Sequence, residues 1–194
     1  MNSEIKLPRT KPPITECDQV LGHFMRSWNQ VEINYFLLFS KLLDTNQPAA
    51  SAIFHAIDMR ARNAIMAALG SQRLNELDKA GLDALVEKTK KASTIRNRVV
   101  HGYWQLKIRI TRHDNGTETG RSATWVRFYH PTDPDDLDRM FGEKDRSLLS
   151  RHQFTIKDIE ANSKNIYNLS REIKKFNDNI VLTLPPNPQP LDFS

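Results

Sequence analysis

The sequence predicts a mainly α-helical protein: an antiparallel helical bundle with one β-hairpin inserted before the last helix. Three observations carry that expectation. Apolar residues recur at steps of three and four from about Thr15 to Val99, the period switches to two at Trp104, and the helical spacing returns after Thr155.

The first twelve or so residues, with Pro8, Pro12 and Pro13, read as an extended arm. A long helix follows from Thr15 or Glu16 to Leu43, its core stripe formed by Leu21, Met25, Trp28, Tyr35, Phe39 and Leu42 and broadened by Phe24, Val31, Phe36 and Leu38. Glu32 belongs to the same progression, between Trp28 and Tyr35. A carboxylate there is expected to be buried and met by a cation, with Arg60, Arg62 and Arg96 as candidates. Pro48 suits the first turn of a second helix that ends at Gly70, and residues 71–79 form a short helix broken by Gly81. From Leu82 a further helix uses Leu85, Val86, Thr89, Ala92, Ile95 and Val99, with Gly102 as a left-handed stop after His101.

Trp104, Leu106, Ile108 and Ile110 then alternate with polar residues, and residues 124–129 are rich in β-branched and aromatic side chains. His113-Asp114-Asn115-Gly116 supplies the turn of the hairpin. Residues 131–153 read as an acidic connection with one helical turn near Asp135 to Met140. The final helix begins at Thr155, where Asp158 completes a capping-box-like pattern and Phe154 staples onto Ile159. The resulting organisation is an arm over 1–14, one helical domain over 15–182 with a hairpin insertion at about 103–130, and a Pro-rich tail over 183–194.

Hydrophobic residues make up 39% and charged residues 26% of the chain, and no apolar run reaches the roughly 18–20 residues of a membrane span, so neither a membrane nor a secretory protein is expected. A cytoplasmic location follows. The lone Cys17 has no internal disulfide partner and no metal-type spacing, which leaves burial as a small apolar side chain. The net charge of +5 is uneven: residues 60–112 hold twelve Lys or Arg against four Asp or Glu, and residues 133–145 hold six acids against two bases. The basic middle suits either a phosphate backbone or a solvated helix face.

The most specific feature is Ile95-Arg96-Asn97-Arg98-Val99-Val100-His101-Gly102. Histidine titrates near neutral pH and can move protons at a ribose hydroxyl or a leaving oxygen. Arginine grips a phosphate bidentately as charge builds on it. Asn97 lies four residues before His101 and shares its helix face, whereas Arg96 lies five residues before and points elsewhere on an ideal helix. A complete site therefore calls for a second chain or a distorted last turn.

These residues resemble the motif of the HEPN family, in which Arg, a polar residue and, after four to six intervening residues, His mark the ribonuclease members. Here four residues separate Arg96 from His101, and Asn97 is the polar residue of the commonest form. The resemblance extends over the helical scaffold from about Glu16 to Gly102, with the last helix. It implies a HEPN-type bundle, a homodimer that pairs two motifs, and a metal-independent endoribonuclease acting by 2′-hydroxyl attack in a toxin, stress or phage-defence setting, where a protein partner or antitoxin is possible. Arg96, Asn97 and His101 would be catalytic, with Glu32 and Arg98 supporting. The hairpin is no part of a minimal domain of that family.

Other features point less sharply. Lys107, Arg109, Arg112 and Arg127, with Arg121, would make a basic hairpin face for RNA, while Trp104, Trp125, Phe128 and Tyr129 are expected to pack the hairpin onto its bundle. No cofactor or metal is expected: Asp133, Asp135, Asp136 and Asp138 lack EF-hand spacing, the remaining histidines form no ligand pattern, and there is no Gly-rich phosphate loop. The competing expectations are a non-catalytic homodimeric helical module, in which Arg96 pairs with Glu32 and His101 caps the helix, and an RNA-binding module that does not cut.

Overall fold

The computed structural model describes residues 14–112, 118–129 and 153–183. Within them the protein is mainly helical, with a small antiparallel sheet. The helices are α1 (Ile14–Leu43), α2 (Gln47–Ala56), α3 (Met59–Arg73), α4 (Glu76–His101) and α5 (Ile156–Asn179), and the strands are β1 (Tyr103–Arg112), β2 (Glu118–Phe128) and β3 (Gln153–Thr155). The expected turn at 113–116, the acidic connection and the Pro-rich arm and tail lie outside the described residues. Among the described residues no helix is long and apolar enough to cross a membrane. The described residues divide into two compact units, one of residues 14–25, 95–112, 118–129 and 153–163, the other of residues 26–94 and 164–183.

In the second unit the expected helix from Pro48 to Gly70 is two helices. Asp58 interrupts it: its carboxylate accepts the Ala61 N–H at 2.8 Å from an extended N-cap conformation, restarting the helix as α3. Asn46 caps α2 in the same way, accepting from Ala49 at 2.9 Å, with Pro48 in the first turn. The short helix expected at 71–79 is absent, because Asn75 caps α4 directly by accepting the Asp78 N–H at 2.9 Å. Both glycines taken as helix ends lie inside helices. A Cβ on Gly70 would sit 2.5 Å from Leu82 Cδ2, and one on Gly81 would sit 3.0 Å from the Phe176 ring, so these glycines serve close helix packing.

Trp28, Val31, Tyr35, Leu38, Phe39 and Leu42 of α1 are buried as the stripe predicts, together with Phe54, Met66, Leu82, Leu85, Ile166 and Ile173. Asn34 Nδ2 donates to the Ser170 carbonyl (3.0 Å) and hydroxyl (2.9 Å), and Lys41 Nζ donates to the Asn177 and Ile180 carbonyls (2.7 and 2.9 Å). Positions along α1 and α5 thus advance together, so these two helices run the same way. Against α4, α5 runs in the opposite sense: Gly81 lies at Phe176 and Lys88 pairs with Glu172. The expected antiparallel arrangement therefore holds for α4 and α5 and fails for α1 and α5.

In the first unit β1 and β2 form the expected antiparallel hairpin, from Tyr103 opposite Phe128 to Arg112 opposite Glu118. A third strand was not expected. Phe154 pairs with Arg127 in β3, and its ring stacks on Tyr129 at 5.6 Å. Thr155 then caps α5 as the sequence predicts: its N–H donates to Asp158 Oδ2 at 2.8 Å, and its hydroxyl oxygen accepts the Asp158 N–H at 3.1 Å. Cys17 is buried, as are Val20, Phe24, Val99, Val126, Phe128, Tyr129 and Ile159.

Candidate functional site

The end of α4 and the strand beside it build the site. The helix continues through His101, so the geometry anticipated for an unbroken helix applies: Asn97 and His101 lie about 40° apart around the axis, Arg96 and His101 about 140°. Asn97, Arg98 and His101 are exposed, and Arg96 is half-buried. Arg96 Nη1 donates to Asn97 Oδ1 at 3.0 Å. The guanidinium is thereby tied toward the side of the helix that Asn97 shares with His101, and Asn97 Nδ2 is left as a donor. Arg96 Nε is buried with no hydrogen-bond partner among the described residues. Among those residues His101 is in no hydrogen bond or ion pair, so it does not cap the helix, and Arg96 has no carboxylate partner.

Arg127 takes the capping role instead. It is buried, and its guanidinium donates from Nε to the Val99 carbonyl and from Nη2 to the Val100 carbonyl at 3.0 Å. A planar cation with two parallel donors suits the unsatisfied carbonyls and negative dipole end of a helix. Burial lowers the Arg127 pKa, opposed by the neighbouring Cys17, whose own thiol is pushed up by burial first and by Glu16 and Asp18 next. The guanidinium also lies 5.5 Å from the Trp104 ring centroid. Gly102 completes the junction without the expected left-handed conformation: a Cβ there would come within 2.7 Å of the Phe128 carbonyl and 3.0 Å of the Arg98 carbonyl. Only glycine lets β2 approach the helix end so closely.

Arg98 lies with its guanidinium 5.1 Å from the Tyr129 ring centroid, and burial raises the Tyr129 pKa while Arg98 opposes it. The basic hairpin face is not realised as expected. Lys107 is exposed, its Nζ 3.4 Å from Gln153 Oε1, but it pairs with Thr124, whereas Arg127 pairs with Trp104. Lys107 and Arg127 are thus an odd number of positions apart in register and face opposite sides of the sheet. Arg127 is a buried structural cation. Arg109, Arg112 and Arg121 lie in the strands, and their side chains are outside the described ones. Phe128 and Tyr129 are buried, in keeping with a packing role.

Glu32 departs from expectation as well. It belongs to the second unit, is half-buried, and forms no ion pair among the described residues. Arg62 lines the same cavity but is committed elsewhere: its Nε donates to the Phe54 carbonyl at 2.7 Å and its guanidinium covers the Phe54 ring at 4.0 Å. Arg60 is exposed. The logic applied to Glu32, a charge inside an apolar run, identifies Arg127 between Val126 and Phe128 as the buried, partnered ion. Among the described residues no three His, Cys, Asp or Glu side chains converge as a metal site. No protein-family model, curated protein or solved structure matches this chain.

Proposed function

We propose that the chain is a HEPN-type, metal-independent endoribonuclease. The observation that carries the reading is the arrangement at the end of α4, where an exposed Asn97 and His101 share one face and Arg96 is tied to Asn97 at 3.0 Å. In the proposed reaction the ribose 2′-oxygen bonds to the adjacent phosphorus as the bond to the 5′-oxygen breaks, leaving a 2′,3′-cyclic phosphate and a 5′-hydroxyl. His101 takes the 2′-hydroxyl proton or gives one to the leaving oxygen, Arg96 stabilises the phosphate charge, and Asn97 orients the imidazole. One histidine serves one proton transfer at a time, so the second falls to the motif of another copy in a homodimer. Exposed Lys107 would meet the RNA backbone. A toxin, stress or defence role in the cytoplasm fits the resemblance.

The purified protein should cut single-stranded RNA in EDTA and spare DNA of the same sequence, which lacks the attacking hydroxyl. His101→Ala should slow cleavage about 10²–10⁴-fold with an unchanged melting curve. Undiminished cleavage by folded His101→Ala protein would remove the site from the chemistry.

A second reading, a non-catalytic homodimeric module, is favoured by exposed apolar side chains on the helices: Ile33 (50%) and Leu37 (37%) one turn apart on α1, and Tyr167 (50%) on α5. Absence of cleavage across varied RNAs, with a dimer in sedimentation, would select it.

A further inference from the structure

The second unit holds a cavity of about 330 Å³ lined by Glu32 and Ile33 of α1, Phe36 of α1, Phe54 and His55 of α2, and Arg62 of α3. Its walls combine aromatic surface with two opposite charges. The Phe36 and Phe54 rings meet edge to face at 5.4 Å, and His55 stacks on Phe36 at 6.5 Å with 25° between the planes. Arg62 lies over Phe54 with only Nε committed, to the Phe54 carbonyl, so its two terminal nitrogens form a free donor edge among the described residues. Glu32 accepts no hydrogen bond among the described residues. Although both line one cavity, the carboxylate and the guanidinium do not pair within 4.0 Å among the described residues. A ligand with donors on one edge and acceptors on the next would satisfy both.

We propose that this cavity binds a guanine base. Guanine presents N1–H and N2–H as adjacent donors, which match the two oxygens of the Glu32 carboxylate. Its neighbouring edge presents O6 and N7 as the acceptor pair that a guanidinium recognises bidentately. Its planar ring suits the Phe36 and His55 surfaces, aromatic faces on which bases stack. Adenine turns an unprotonated N1 toward the carboxylate and is rejected. The site is independent of the Arg96, Asn97 and His101 reading, and either stands if the other fails. The base is presented by a free nucleotide or by single-stranded RNA.

Calorimetry on the full chain tests the proposal with GMP, IMP, AMP, and two 2′-O-methyl hexanucleotides that cannot be cleaved, one of uridine with a central guanosine and one of uridine alone. GMP should bind, IMP should bind more weakly for want of the 2-amino group, and AMP should be roughly ten-fold weaker or worse. Glu32→Gln should lose a similar factor for GMP with an unchanged melting temperature, since Glu32 forms no internal pair. Arg62→Met, which keeps the stem over Phe54, should weaken GMP and IMP together. The guanosine hexanucleotide binding more tightly than GMP, with the uridine one inert, identifies RNA as the source; GMP binding more tightly identifies the free nucleotide. Equal binding of GMP and AMP, no binding of any guanine probe, or a Glu32→Gln protein that binds GMP like the parent overturns the proposal. Displacement of GMP by free phenylalanine at equal concentration also overturns it, in favour of an α-amino acid.

Discussion

The ends of α4 and α5, one in each unit, close by the same physics with different instruments. At α5 the flexible ammonium of Lys41 reaches the Asn177 and Ile180 carbonyls, beyond which the chain continues to Thr183, tied by its N–H to the Arg73 carbonyl at 2.8 Å. At α4 a buried, rigid guanidinium takes two successive carbonyls, those of Val99 and Val100. Lysine supplies a point charge that swings; arginine supplies a planar fork that sets direction as well as charge. The arginine closure stands where the last helical residue is an exposed histidine, and the lysine closure where the chain runs on through Ile180 to Thr183. Arg127 thereby frees His101 from capping duty. It makes the hairpin part of the support of the proposed site.

The sharpest way to break the comparison is Arg127→Met, which keeps bulk but leaves two carbonyls without a donor. It should cost about 2–4 kcal/mol in urea denaturation. A loss no larger than that of Lys41→Met would mean the two closures are equivalent. Next comes Gly102→Ala, where the added methyl meets backbone oxygens that cannot move aside: about 2–3 kcal/mol is expected. Gly70→Ala is its counterpart in the other unit. The clash there is with the end of the Leu82 side chain, which can rotate, and alanine favours the helix, so the melting curve should stay within about 1 kcal/mol of the parent. Equal losses at the two glycines would contradict the distinction.

Lys41→Met should cost about 1 kcal/mol, the ordinary worth of a cation on helix carbonyls. The smallest effect belongs to pH. Tyr35 is buried, its hydroxyl donates to Asn63 Oδ1 at 2.5 Å, and burial pushes its pKa well above the ordinary value while Arg62 opposes slightly. The unfolded chain therefore loses this proton first. The contribution is fully present below about pH 10 and falls as pH rises above it, by under about 1 kcal/mol at half a unit beyond. Tyr35→Phe should remove that part of the slope between pH 9 and 10.5; an unchanged slope would place the alkaline loss elsewhere.

Much of this fold was legible in local chemistry. The α1 stripe, the switch to a strand period near Trp104 and the Thr155–Asp158 cap depend on residues close in sequence, and periodicity or a three-residue spacing is enough to reveal them. The break at Asp58 was equally local, an N-cap signal outweighed by the apolar run around it. For the candidate site, the sequence identified Arg96, Asn97 and His101 on a helix, but not the hydrogen bond that ties the first two, nor the release of His101 by Arg127.

By itself the sequence determined the buried stripe of α1, the switch to a strand period near Trp104, the cap of α5 and which charges sit in apolar runs. What each such charge meets was decided only by the tertiary structure. Glu32 and Arg127 look alike in sequence, each a charge between apolar neighbours, yet one lines a cavity and the other caps a helix. Gly70, Gly81 and Gly102 look like stops, yet each answers to a side chain or carbonyl distant in the chain or across a tight junction. Periodicity reports how a segment is used along its own axis. Partners are set by which segments meet, and for an ion or a glycine the partner is the whole of its energetic role.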